Sequence, residues 1–152
     1  MKLAEALILR SDLQKRIEQL RIRLNNNAKV QENDTPAEEP KELLRELDEN
    51  IEELNLLIKK INKTNCEAQI EGVALVDLIA DRDTLGLKVN ILRNFIATAS
   101  QKIDMYSNKE IKILSSVDVS SLQKQIDRLS KEIRQIDTRL QMANWQTDLV
   151  EK

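Results

Sequence analysis

The chain of 152 residues has no histidine, one cysteine, two glycines, two prolines and three aromatic residues. Each shortage excludes a class of chemistry. Without histidine, Cys66 has no imidazole base, so a Cys–His nucleophile is excluded. A lone cysteine forms no intramolecular disulfide, and a reducing interior suits it. Gly72 and Gly86 build no phosphate-cradling loop. Phe95, Tyr106 and Trp145 are too few for a base-stacking platform. The net charge of -2 sets up no field that would recruit nucleic acid. No stretch approaches the roughly 18 apolar residues of a spanning helix, and Val73–Ala80, the longest candidate, contains Asp77. Near the start, Asp12 interrupts the short apolar run Ala6–Leu9 and argues against a signal peptide.

What is present is helical. Apolar residues make up 41% and charged residues 33%, a mixture that suits long amphipathic helices rather than a sandwich. Leu3, Ala6, Arg10, Leu13, Ile17, Leu20 and Leu24 step by three and four residues. Leu75, Leu78, Arg82, Leu85, Val89, Leu92 and Ile96 repeat that stripe at an offset of 72, with arginine in the same slot.

Four helices are predicted, over about 2–24, 40–65, 74–106 and 120–145. Thr35-Pro36-Ala37-Glu38 suggests one extra helical turn. The second helix carries Leu44, Leu47, Ile51, Leu54, Ile58 and Ile61. The third continues its stripe through Ala99, Ile103 and Tyr106 and has a second apolar line, Leu87, Ile91 and Phe95. Ser120 with Gln123 resembles a capping box for the fourth helix, which carries Leu122, Ile126, Leu129, Ile133, Ile136, Leu140 and Ala143. At an offset of 82, Leu47, Ile51, Leu54 and Ile58 align with Leu129, Ile133, Ile136 and Leu140.

Two short strands are expected, near 28–32 around Val30 and over 109–117, where Ile111, Ile113, Ser115 and Val117 alternate. Equivalent strands could pair with each other, within or between chains. The expected fold is therefore mostly α, with two tandem antiparallel helical hairpins and one or two short strands. It forms a single domain, 1–152, with a pseudo-repeat of 1–65 and 74–147. Charge supports the hairpins: residues 1–24 have six basic and three acidic side chains, and residues 31–50 have two basic and eight acidic. Folding back brings Arg21 and Arg23 near Glu38, Glu39, Glu42 and Glu46. Such exposed pairs set register more than stability.

Candidate chemistry is sparse. Arg10 and Arg82 in apolar slots need carboxylates, and Asp12, Asp81, Asp83, Glu46 and Asp48 are at hand. Paired, they set helix register; unpaired, they would form an anion site. Asp81-Arg82-Asp83 lacks metal-ligand spacing, since neighbouring helix residues point apart. Ser115 and Ser116 have no base nearby in sequence. Asn62, Thr64 and Asn65, like Asn144, sit at helix ends where such residues cap carbonyls, and Trp145 could anchor a partner. No catalytic, cofactor-binding or metal-binding residue is assigned, and no cofactor, nucleic acid or small-molecule substrate is expected.

Several segments together resemble the septicolysin-like family of small bacterial proteins. They are Ala6-Leu7-x-x-Arg10-x-Asp12-Leu13, Ile61-Asn62-Lys63-Thr64-Asn65, Asp81-Arg82-Asp83-x-Leu85, Glu110-Ile111-Lys112 with Val117-Asp118-Val119, and Ala143-Asn144-Trp145. Ala74 departs from the pattern, which would place a capping Ser or Thr there. The resemblance implies a helical fold and, for some members, a pore-forming cytolysin label; it transfers no catalytic residue. The residues themselves lead to a cytoplasmic, non-enzymatic, self-assembling structural or interaction protein, a dimer or a multiple of it. A pore-forming protein that rearranges to expose apolar surface at a membrane is the alternative that the resemblance suggests.

Overall fold

A computed structural model describes residues 1–101 and 111–151. Among them are four helices, α1 (Leu3–Asn26), α2 (Pro40–Glu67), α3 (Leu75–Ala99) and α4 (Val119–Gln146). They pack pairwise, α1 on α2 and α3 on α4. A two-stranded antiparallel sheet, β1 (Gln69–Ile70) and β2 (Val73–Ala74), separates the pairs along the chain. The residues fall into two compact units, Met1–Leu75 with Gln141–Lys152, and Val76–Leu140.

In the first unit α1 and α2 form an antiparallel hairpin. Leu3, Ala6, Leu13 and Leu20 are buried, while Arg10, Ile17 and Leu24 are half-buried, so the whole stripe faces inward. The inward side of α2 differs in phase from the expected one. It is Leu43, Leu47, Asn50, Leu54, Leu57, Ile61 and Thr64, whereas Leu44 and Ile51 face water. The helix is apolar on two adjacent lines, and the buried line hides an asparagine. Asn50 lies in the core because its Nδ2 donates to the Glu46 carbonyl at 2.7 Å, which satisfies part of its amide within the helix.

This phase brings α2 into register with α4 at an offset of 79 rather than 82. Leu43, Leu47, Asn50, Leu54, Leu57, Ile61 and Thr64 then match Leu122, Ile126, Leu129, Ile133, Ile136, Leu140 and Ala143, which are all buried or half-buried. In the second unit Val89, Ile126 and Leu129 form the core, with Leu85, Leu92, Ile96 and Ile133 packed around it. Arg82 meets Asp137 and Arg93 meets Ser130, so α3 and α4 run antiparallel.

The sheet does not lie where alternation placed strands. Residues 28–32 form no strand. Asn27 closes α1 instead: its Nδ2 donates to the Arg23 carbonyl (2.8 Å), and its Oδ1 accepts from the Glu38 amide (2.9 Å). Asn33 then turns with φ 67°, and residues 35–39 form no helical turn, with a bend at Ala37–Glu38. Residues 111–117 form no strand either. The Ser115 hydroxyl bonds locally to the Val117 carbonyl and amide, and Ile111, Ile113 and Leu114 are exposed. Without a neighbouring strand, an alternating segment has no partner for its backbone groups. Lys109 and Glu110, like Ile103 and Tyr106 of the expected α3 extension, lie outside the described residues.

The strands that do form turn at Glu71 (φ 51°) and Gly72 (φ 81°), a two-residue left-handed turn of the kind that hairpins favour. Sheet pairing also replaces the expected caps. Leu75 N donates to the Ala68 carbonyl at 3.0 Å, so Ala74 meets no need for a capping hydroxyl at that amide. The N-terminus does the same: Leu3 N donates to the Thr147 carbonyl (2.9 Å), beside an antiparallel bridge between Lys2 and Asp148. At α4 the side-chain cap is Asp118, whose Oδ1 accepts from Ser121 N at 3.2 Å; Gln123 bonds instead to Asp127.

Candidate interaction surface

The two arginine slots have different surroundings. Arg82 Nε lies 3.1 Å from Asp83 Oδ1, and its Nη1 lies 3.5 Å from Asp137 Oδ1 across the helix pair. Arg10 is half-buried, and among the described residues no carboxylate lies within ion-pair distance. The expectation of two paired arginines therefore holds for one. The repeat registers explain why: Asp83 and Asp137 correspond to Ser11 and Ile58, so the acids are missing from the first hairpin.

The charge pairing expected between α1 and the start of α2 is present at Arg23, whose Nη2 lies 2.6 Å from Glu38 Oε1 and whose Nη1 lies 3.9 Å from Glu46 Oε2. The hydrogen bond from Arg23 holds the Glu38 carboxyl below its ordinary range. Arg21 turns back to Glu18 instead, at 2.6 Å, and lowers that carboxyl in the same way.

The remaining candidates are dispersed. Cys66, Ser115 and Ser116 are exposed. No group of three metal-binding side chains occurs among the described residues. A cleft of about 960 Å³ lies in the second unit. Lys131, Arg134, Asp81 and Glu132 line it with mixed charge, and all four are exposed. Thr64 is a structural clamp: its hydroxyl donates to the Lys60 carbonyl (2.8 Å) and accepts from Val150 N (3.0 Å). Trp145 is 55% exposed beside exposed Met142.

The outer side of α3 stands out. Leu87, Ile91 and Phe95 are 61%, 58% and 44% exposed. Spaced by four, they form one ridge on the side opposite the buried stripe. Ala80, Thr84 and Thr98 extend that side, with Asp83 at its edge one turn before Leu87. At an offset of 72 the same three positions on α1 are Lys15, Gln19 and Arg23. One hairpin thus folds with polar residues where the other has Leu, Ile and Phe, so packing of the helix pair does not require the apolar ridge.

A second exposed apolar line escaped the sequence reading because it was assigned to the core. Leu44 (50% exposed) and Ile51 (47%) flank the buried side of α2, followed by half-buried Ile58. Their equivalents on α4 are Gln123, Ser130 and Asp137. The usable signal was the width of the apolar sector on α2, which is more than one partner helix covers.

Comparison with known proteins adds the lineage. Residues 10–149 match the model of a family described as "Family of unknown function (DUF6847)". The chain is also similar to a functionally unknown conserved protein from Corynebacterium diphtheriae, known from a crystal structure. The two are 40% identical, with 99% of each chain covered and a TM-score of 0.91. No curated protein matches the chain. Neither description carries a septicolysin or cytolysin label.

Proposed function

We propose that the chain, which belongs to the family of unknown function DUF6847, is a cytoplasmic, non-enzymatic helical protein that associates with itself through the outer face of α3. One observation carries the reading: Leu87, Ile91 and Phe95 lie exposed on a face that the equivalent helix keeps polar. Three large apolar side chains side by side, in a surface otherwise rich in charge, favour a contact site. The non-enzymatic part rests on composition, since acid–base and nucleophilic chemistry here would have to proceed without histidine and with a solitary exposed cysteine.

Light scattering at micromolar concentration tests the reading. Wild type should have a mass that is a multiple of 17.5 kDa, and Ile91→Glu with Phe95→Glu should lower it while helicity by circular dichroism persists. A wild-type mass of 17.5 kDa throughout would refute self-association.

The exposed ridge also lends support to the septicolysin-like reading, in which apolar surface meets a membrane. No described helix is long and apolar enough to cross one, so lysis would require rearrangement. Dye-loaded anionic liposomes should therefore keep their dye; rapid leakage would favour that reading instead.

A further inference from the structure

We infer that the α3 ridge of one copy docks on the Leu44–Ile51 flank of α2 in a second copy. This rests on the self-association proposed above and names its geometry.

Both lines are departures from a shared plan. The inward stripes of the two hairpins are apolar at nearly every equivalent position, as a common fold requires. Outside those stripes, Leu87, Ile91 and Phe95 replace Lys15, Gln19 and Arg23, whereas Leu44, Ile51 and Ile58 stand where the second hairpin has Gln123, Ser130 and Asp137. Each chain therefore has one apolar line on each hairpin, on different helices, and neither has a counterpart. Every copy carries one ridge and one flank, so each α3–α2 junction joins unlike surfaces of two copies.

Charge selects this pairing over α3 against itself. From Thr84 to Gln101 the only charged residues are Lys88 and Arg93. Lys88, three residues before Ile91, borders the ridge. Over that span an α3–α3 contact would offer the Lys88 and Arg93 of each copy no acid, and Asp83, one turn before Leu87, already pairs with Arg82 of its own helix. Residues 38–53 carry eight acids and two bases, and Asp48 sits on the α2 surface between Leu44 and Ile51. An ammonium beside an apolar ridge thus meets a carboxylate beside an apolar flank, and like-charge contacts are avoided.

The test mixes variants. Ile91→Glu/Phe95→Glu removes the ridge, and Leu44→Glu/Ile51→Glu removes the flank. Each variant alone should have a mass of 17.5 kDa by light scattering, and an equimolar mixture should form two-chain particles, because one junction stays intact. A flank variant that keeps the wild-type mass while the ridge variant dissociates would show α3 pairing with itself; this inference would fall and self-association would stand. A mixture that stays at single-chain mass also overturns the inference, and a monomeric wild type removes both proposals.

Milder substitutions guard against loss of folding. Lys88→Asp and Asp48→Lys should each weaken association about tenfold, because like charges then face each other at both junctions. Mixing the two should restore wild-type affinity, since both junctions regain opposite charges. An Asp48→Lys chain that associates as tightly as wild type would contradict the pairing.

Discussion

Asn50 should be replaceable by leucine with a gain in stability. It occupies the α2 slot equivalent to Leu129, is only 8% exposed, and has its amide bonded to the Glu46 carbonyl of its own helix. Full burial of a leucine contributes about 1.5–3 kcal/mol. The lost amide bond costs about 0.5–1.5 kcal/mol, and the Glu46 carbonyl keeps its place in the helical ladder. Leucine also has the better helix propensity, by at most about 0.7 kcal/mol. The net expectation for Asn50→Leu is about 1 kcal/mol of added stability, or roughly 2–4 °C in Tm for a chain of this size. The reverse change, Leu129→Asn, puts an amide into the Val89–Ile126 core and should cost about 2–4 kcal/mol. Urea and thermal melts at one fixed protein concentration measure both, because the proposed self-association would raise Tm by mass action. A destabilised Asn50→Leu would mean that the slot is too tight for the extra carbon branch, or that the asparagine makes a bond the fold requires. Either result would refute the equivalence drawn between the two positions.

Two further outcomes follow from the ion pairs. Arg10→Leu should stabilise by about 1 kcal/mol, since a half-buried guanidinium without a carboxylate gives way to apolar contact beside an apolar stripe; Arg82→Leu should bring no such gain, because Asp137 loses its cation, and equal effects in urea melts would contradict the asymmetry. Stability should also fall in acid: hydrogen bonds from Arg23, Arg21 and Lys2 hold the carboxyls of Glu38, Glu18 and Asp148 below their ordinary range. Their contribution is complete above the unfolded carboxylate range near pH ~4 and is lost as pH falls toward the lower folded values, because the unfolded chain binds those protons first. Thermal melts from pH 7 to pH 3 should show the decline, with a smaller one in Glu38→Gln; identical profiles would count against the pair.

The stripes of α1, α3 and α4 were legible because each keeps a 3,4 rhythm of apolar residues over seven positions; the second line on α3 is shorter, three residues spaced by four, and lies on the opposite side. On α2 two lines compete. The line Leu44, Ile51, Ile58 is uniformly apolar, while the true one includes Asn50 and Thr64, which enter the core only because each bonds to a carbonyl four residues back. Local side-chain bonds of that kind leave no periodic trace in a sequence. The strand expectations failed for a related reason. Alternation at Ile111, Ile113, Ser115 and Val117 describes a face, but a strand also needs a neighbour, and Ser115 supplies its bonds locally instead. The real strands have two residues each, too short for any pattern, and Gly72 was their only clear sign. The α3 ridge was visible from spacing alone, whereas the α2 flank emerged only when burial assigned it to the outside.

The backbone contacts beside the helix ends extend the repeat beyond its helices and locate what distinguishes its halves. Ala68 N bonds to the Thr64 carbonyl (2.8 Å), and Thr147 N to the Ala143 carbonyl (2.9 Å). Leu75 N bonds to the Ala68 carbonyl (3.0 Å), and Leu3 N to the Thr147 carbonyl (2.9 Å). The bridge of Lys2 with Asp148 then answers the pairing of Ala74 with Gln69. The segment after each hairpin thus pairs with the segment before the other one, and both pairings lie in the first unit. Such matching backbone bonds constrain helix phase, cap position and the inward stripe in the same way twice. They place no constraint on the outward faces, which are where the halves differ most: an acidic α2 beside an apolar flank, and an α3 ridge bordered by Lys88. Differences that folding does not require are the natural place for function, and the proposed ridge–flank junction draws on both of them.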